Sequence, residues 1–282
     1  MSASPDRVSA SEDPVTAWAQ AVQAGEVVAG PYVRAAADRH LRDLVEGPKR
    51  GLKWDLAAAL RAIRFFPQVL RLNGGQFEGR PFELHPGQAF RIGSLFGWKQ
   101  YSAQHGAWLR RFTRFYDEEG KGNGKSPMLG GIGLYMMVAD GEPRAEIYAA
   151  AAKKDQAGIL FQDAVAMVDQ SPVLKRKVQQ QGGNPVWQMT YRGRGGDKRK
   201  FKPLSAEKAQ SDPRPHCALT DEVHACRSTQ DRTQHGRIKR AVRYCRTLLS
   251  TSPTAIHCRE NVKMRSAACG GICLQGVFAN VP

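Results

Sequence analysis

Residues 111–138 read RFTRFYDEEGKGNGKSPMLGGIGLYMMV, and the organisation of the chain turns on them. The opening part, 111–117, carries Phe112, Phe115 and Tyr116 and reads as a strand. The closing part, 125–138, is apolar almost throughout and long enough for a buried helix. Between them lies Glu119-Gly120-Lys121-Gly122-Asn123-Gly124-Lys125-Ser126. A nucleotide's phosphates need inward-turned backbone N–H groups, which glycine permits because it lacks Cβ and tolerates positive φ. They also gain from a helix N-terminus, whose dipole and unpaired N–H groups favour anions. In that setting Lys125 reaches the β- and γ-phosphates and Ser126 ligates Mg²⁺. The usual pattern is G-x-x-x-x-G-K-[ST]; Gly124-Lys125-Ser126 fits it, while Glu119 replaces its first glycine. A solvated Gly/Lys turn is the alternative. The strand before the loop and the helix after it favour nucleotide, with ATP and Mg²⁺ as the expected cofactors.

A phosphate loop binds; hydrolysis needs a second acid for Mg²⁺ and a group that orients water. Residues 217–222, CALTDE, offer both at the end of a small apolar strand over 216–220. Asp221 is expected to contact Mg²⁺ through water, and Glu222 to polarise the nucleophile. An ordinary acidic surface turn is the competing reading.

Working outward, 145–150 reads as another strand, 155–169 as a second helix and 186–191 as a further strand. Strands alternating with helices imply a parallel sheet covered on both faces. Upstream, 31–44 and 54–72 show helical spacing, the second interrupted near Pro67, and Asn73-Gly74-Gly75 marks a turn. Residues 1–30 read as a loosely ordered lead-in. The expected domains are therefore 1–74, a lead-in with helices; 75–224, a P-loop ATPase domain; and 225–282, an irregular tail. Of that tail, 238–249 alone suggests a helix.

The 282 residues are globular in composition, with 41% hydrophobic residues and a mean hydropathy of -0.47. No run approaches the roughly 18 apolar residues of a spanning helix. The polar, acid-bearing segment 1–14 lacks the order of a secretory signal, so a cytoplasmic protein without membrane contact is expected. A net charge of +16 predicts attraction to a polyanion, nucleic acid first. From Ala225 onward ten Arg or Lys residues face only Asp231 and Glu260, half of that excess. Five of the six cysteines share this tail without zinc-type C-x2-C spacing, so neither zinc nor disulfides are expected. His85, His105 and His224 lie near the motifs but suit no metal site either, and are expected to pack or to support the motif residues from behind. Residues 192–200, RGRGGDKRK, join cations to glycines that let phosphates approach. Arg192, Arg194, Lys198, Arg199 and Lys200 are the candidate DNA contacts, with a merely solvated hairpin as the alternative.

These motifs together resemble phage terminase large subunits, over about residues 75–224. Residues 81–90, PFELHPGQAF, and Phe96-Gly97-Trp98 are similar to that family's adenine-recognition stretch, and Gln88 matches its base-reading glutamine. Gly87 stands where many members carry tryptophan. The family also replaces the first glycine of the loop and often carries Arg or Lys a few residues before the lysine, which Lys121 matches. Residues 149–157, AAAAKKDQA, and 201–207, FKPLSAE, resemble its next connecting segments, and Asp221-Glu222-Val223-His224 its D-E-x-H ending.

The resemblance implies a three-layer P-loop ATPase core of the ASCE type, with Lys121, Gly122, Asn123, Gly124, Lys125 and Ser126 around the nucleotide. It further implies a phage- or prophage-encoded motor that works in the bacterial host. Such a motor forms a homo-oligomeric ring with the small terminase subunit and the portal, and drives double-stranded DNA into a capsid. A helicase-type ATPase is the runner-up; a non-catalytic DNA-binding remnant is a third reading.

In the family a coupling motif and a two-metal nuclease follow. Nothing after His224 matches them, so the reading frame is expected to depart near Ala225 by frameshift or truncation; a basic tail that grips DNA competes with this. A two-metal site needs clustered carboxylates, and beyond His224 only Asp231 and Glu260 remain. Purified chain is therefore expected to leave plasmid DNA uncut with Mg²⁺ or Mn²⁺. Nicking that disappears in Asp231→Asn would contradict this.

Overall fold

The computed structural model describes residues 13–119, 122–151, 154–205, 215–220 and 273–277. Its contacts divide the chain into two compact units. Unit 1 comprises residues 1–121, 166–176 and 271–274; unit 2 comprises 122–165, 177–270 and 275–282. The boundary thus falls inside the phosphate loop, whereas the sequence suggests one at 75. The reason is local: the helix that follows residue 85 packs on the helices that precede it.

Unit 1 begins with α1 (Pro14–Gln23). Of the loose lead-in expected over 1–30, residues 14–23 are instead helical, and residues 1–12 lie outside the described residues. Val15, Ala19 and Val22 recur at helical spacing and are buried, and Asp13 caps the helix by accepting from the N–H groups of Val15 (3.0 Å) and Thr16 (3.1 Å). α2 (Pro31–Glu46) follows as the spacing predicts. Then come β1 (Leu52–Trp54) and α3 (Leu56–Val69), whose last turn holds Pro67. α4 (Pro86–Gly97) runs directly into β2 (Trp98–Ser102), β3 (Ala107–Arg110) and β4 (Arg114–Glu118). β1, β2 and β3 form an antiparallel sheet. α4 packs on α3 and α1, and it lies close because Gly97 has no side chain. A Cβ there would sit 2.5 Å from the Trp54 ring and 2.8 Å from Ala59. Val15, Ala19, Val22, Ala37 and Phe90 form the core of these helices.

A polar cluster is buried beside this core. The Trp98 indole N–H donates to His40 Nδ1 at 3.0 Å, and His40 Nε2 meets Thr16 Oγ1 at 2.9 Å. The Thr16 hydroxyl donates to Asp13 Oδ2 at 2.6 Å, so Nε2 must be the donor in its contact with Thr16. A neutral imidazole therefore satisfies every partner, and protonating Nδ1 would face the indole N–H. Burial is the main reason that the His40 pKa falls from 6.5 to about 4; the charge of Arg39 lowers it further, against the opposing carboxylates of Asp13 and Asp43.

Unit 2 holds α5 (Lys125–Val138), β5 (Glu146–Ala151) and the first part of α6 (Lys154–Gln170). The last residues of α6 and the short α7 (Pro172–Lys175) belong to unit 1, where Ser171 Oγ donates to the Val69 carbonyl at 2.6 Å. β6 (Val178–Gln181), β7 (Gln188–Arg192), β8 (Lys198–Ser205) and β9 (Cys217–Thr220) complete a five-stranded sheet in the order β6-β7-β8-β5-β9. β8, β5 and β9 are parallel, while β6, β7 and β8 pair antiparallel. The sheet is thus mixed rather than wholly parallel, because residues 178–192 add a meander to one edge. Ile147, Tyr148 and Ala149 are all buried, as expected of a strand covered on both faces. Phe201 stacks edge-on with Phe161 of α6 at 5.3 Å. A Cβ on Gly133 of α5 would meet the same ring at 2.8 Å.

β10 (Cys273–Val277) is a strand inside the segment expected to be irregular. The suggested helix at 238–249 lies outside the described residues. No helix among the described residues is long and apolar enough to cross a membrane.

His40 makes stability depend on pH with a definite sign. Its folded pKa lies below its unfolded one, so the denatured chain takes up the proton first. The stabilisation is complete above pH 6.5 and is lost as pH falls towards about 4. The loss is at most about 3 kcal/mol. Urea midpoints measured between pH 7 and pH 4 should fall accordingly, and His40→Gln should flatten that part of the curve.

Candidate functional site

The direction of α5 follows from what its far end touches. Arg199 Nη1, near the start of β8, donates to the Met137 carbonyl in the last turn of α5 at 3.3 Å. His216, just before β9, pairs with Asp140, just past α5, at 2.7 Å. The C-terminus of α5 therefore lies at the amino ends of the parallel strands, and its N-terminus at their carboxyl ends. Those ends are level: Ala151 of β5 pairs with Ser205 of β8, and Ala150 with Thr220 of β9. Lys125 and Ser126 open the helix at this edge, and Thr220 ends its strand there, one residue before Asp221.

Close packing holds the helix in place. Gly133 leaves room for Phe201 and Leu219, and Gly130 would carry a Cβ 3.5 Å from the Ala164 nitrogen of α6. Upstream, Gly122 (φ 91°) and Gly124 (φ 74°) adopt left-handed backbone that other residues rarely take. Gly124 is the cap, with no side chain hydrogen-bonded across the helix start. Lys125 and Ser126 are half-buried, and Gly122 and Asn123 exposed. Lys121, Asp221 and Glu222 lie outside the described residues, as does Gly120.

In unit 1, Gln88 occupies the first turn of α4. Its Oε1 accepts from the His85 N–H at 3.0 Å, and His85 Nδ1 accepts from the Gly87 N–H at 3.3 Å, so the pair caps the helix reciprocally. His85 thus has a definite place, at the helix start. A Cβ on Gly87 would sit 3.5 Å from the Trp18 ring of α1. One turn on, Arg91 is buried. Its Nη1 donates to both carboxylate oxygens of Asp117 (2.8 and 2.9 Å) and pairs with Glu119 at 2.5 Å. Glu119, the residue in place of the first glycine, is therefore engaged with a guanidinium. Arg91 was not among the residues expected from sequence; a lone cation between Phe90 and Ile92 was the available signal.

The basic segment 192–200 is the turn of the β7–β8 hairpin with its flanks. Arg192, Arg194 and Lys198 are exposed. Arg199 is instead buried: it donates to Asp197 at 2.8 Å and lies over the Tyr191 ring. Lys200 is paired with Glu146 at 2.7 Å. Three of the five expected cations face solvent, and two are tied to the fold.

A glycine-rich turn leading into a buried helix at the carboxyl edge of parallel strands defines an α/β core of P-loop type. The sequence profile of the terminase large subunit ATPase domain matches residues 86–263. That is more than half of the chain, which therefore belongs to this family. The match runs on past His224, into the segment that the residues alone set apart at 225. Among solved structures, the large terminase of bacteriophage HK97 is similar at 22% identity, over 67% of this chain and 35% of that one, with a TM-score of 0.48. The large terminase ATPase domain of a Thermus phage is similar at 18% identity, over 37% of this chain and 45% of that one, with a TM-score of 0.30. The chain thus spans about a third of the length of the HK97 protein. No curated protein matches it.

Proposed function

We propose that the chain is a Mg²⁺-dependent ATPase that powers movement of double-stranded DNA into a phage capsid. The observation that carries this is the opening of α5: two glycines with positive φ, then Lys125 and Ser126 on a helix start at the carboxyl edge of the sheet. Backbone N–H groups of residues 122–126 cradle the phosphates, with Lys121 beside them. Lys125 offsets charge between the β- and γ-phosphates, and Gln88 reads the adenine edge. Its Oε1 has two lone pairs, so capping α4 leaves room for a second hydrogen bond. Ser126 and Asp221 bring the hard oxygen donors that suit Mg²⁺, which when bound spreads charge away from the phosphoryl oxygens. Glu222 orients and polarises the attacking water. The exposed cations Arg192, Arg194 and Lys198 grip DNA phosphates without reading sequence. By family, the assembled form is a ring of copies working with a small subunit and a portal in the host cytoplasm, with no membrane contact.

Lys125→Ala should abolish turnover, because losing such a charge clamp costs about 3 kcal/mol in the transition state, a hundredfold or more. Glu222→Gln should still bind ATP without hydrolysing it, and Asp221→Asn should weaken Mg²⁺-dependent binding itself. Steady-state turnover and nucleotide titrations separate these outcomes; wild-type rates in Lys125→Ala would sink the reading.

Replacing Arg192, Arg194 and Lys198 together by Ser should weaken duplex binding equally across sequences. The slope of log K against log salt should become shallower by about 0.9 for each DNA phosphate that is no longer neutralised. An unchanged slope would remove the hairpin from the DNA path.

A further inference from the structure

Arg91 does more than neutralise a carboxylate. Its Nε donates to the Gly87 carbonyl at 3.1 Å, in the first turn of α4 and next to Gln88. Its Nη1 meets Asp117 at 2.8 Å and Glu119 at 2.5 Å. Asp117 lies in β4, and Glu119 is the residue from which the phosphate loop departs. One side chain therefore holds two backbone segments in a fixed relation: the turn that carries Gln88 and the root of the loop. The side chains of Arg91 and Asp117 are no more than 5% exposed, and that of Glu119 is 9% exposed.

Stability alone accounts poorly for such a cluster. Burying ions costs desolvation that their attraction roughly repays, and well-packed apolar side chains would serve the fold as well or better. A fork of N–H donors does supply fixed geometry. Arginine presents its donors on separate nitrogens in one plane, so it can hold a carbonyl through Nε and two carboxylates through Nη1 in a fixed relation, whereas the three donors of lysine sit on a single freely turning nitrogen. The turn itself is rigid, because His85 and Gln88 cap it reciprocally. A displacement imposed at Gln88 is thus passed through Gly87 and the guanidinium to Glu119.

We infer that Arg91 is a positioning residue that links base recognition at Gln88 to the setting of the phosphate loop. The identity of the base then acts on kcat as well as on binding. This rests on the ATPase reading above. In its terms, adenine engaged by Gln88 fixes the α4 turn and, through Arg91, the root of the loop six residues ahead of Lys125. A base that does not engage Gln88 leaves the root less constrained.

The test uses the full chain and compares wild type, Arg91→Lys and Glu119→Gln, with Lys125→Ala as control. ATP and GTP turnover are measured across substrate concentration, dissociation constants are taken with ATP and GTP, and thermal melting shows that each variant is folded. In folded Arg91→Lys, kcat for ATP should fall about ten- to hundredfold, as small misplacements of reacting groups do. The ATP dissociation constant should move by less than about threefold, and the preference for ATP over GTP in kcat should shrink towards one. Glu119→Gln, which keeps the shape and loses one charge, should shift the same quantities in the same direction, and it carries the test if Arg91→Lys does not fold. Folded variants with unchanged kcat and unchanged base preference would overturn the inference while leaving the ATPase reading intact. A wild type without ATP turnover, or one equalled by Lys125→Ala, would overturn the ATPase reading and this inference with it.

Discussion

The close approach of α5 to the sheet governs unit 2. Helix and strands meet where Gly133 faces Phe201 and Leu219, at distances that no Cβ would tolerate. Because the helix is buried on every side along Met128–Met137, it has no solvent stripe that would let it rotate or slide. Its end contacts, Arg199 to Met137 and His216 to Asp140, set its direction. Packing of apolar atoms in the middle of α5 thus decides where the charged chemistry at its start is delivered. The placement of Lys125 and Ser126 at the helix start is also fixed from its last turn at Met137, about 18 Å away on the rule of about 1.5 Å per helical residue.

Unit 1 is organised differently, around satisfied polar groups inside an aromatic cluster. Asp13 caps α1, accepts from Thr16 and accepts from the Trp54 indole at 2.8 Å. His40 joins Thr16 to Trp98. Asp43 is held by Arg50 and Arg111; burial alone would raise its pKa, and these two hydrogen-bonded cations bring it below the usual range. Each buried polar atom in this group answers another, which is the condition for polar side chains to sit in a core without large cost.

How much of this is legible in the sequence depends on whether a segment's own residues carry its signal. The bounds of α5 coincide with the apolar run 125–138, and those of β5, α6, β7 and β9 fall within a few residues of their patterns, because each is a buried element between sharp breakers. α1 does not stand out, because its three buried residues are small or separated by alanine and polar side chains. β8 reads in sequence as a basic loop plus a connecting segment. Its charges Arg199 and Lys200 find partners on Asp197 and Glu146, and only the fold brings Glu146 alongside. The same holds for the site. Lys125 and Ser126 follow from a motif, whereas Arg91 becomes meaningful once β4 lies beside α4, and a spacing of 26 or 28 residues encodes no contact.

The five tryptophans are spread unevenly, and this gives the molecule an optical character. Trp18, Trp54, Trp98 and Trp108 all fall in unit 1, while Trp187 alone represents unit 2. Trp54 and Trp98 lie within 5.3 Å of each other and within 5.6 Å of the His40 ring. Trp187 is 54% exposed and packs next to Gly182. Intrinsic emission is thus a composite: the Trp54–Trp98 pair packed against one imidazole in unit 1, and two exposed indoles, Trp108 at 47% in unit 1 and Trp187 at 54% in unit 2. Emission from the packed Trp54–Trp98 pair in the unmodified chain therefore reports on unit 1, without any label having to be attached.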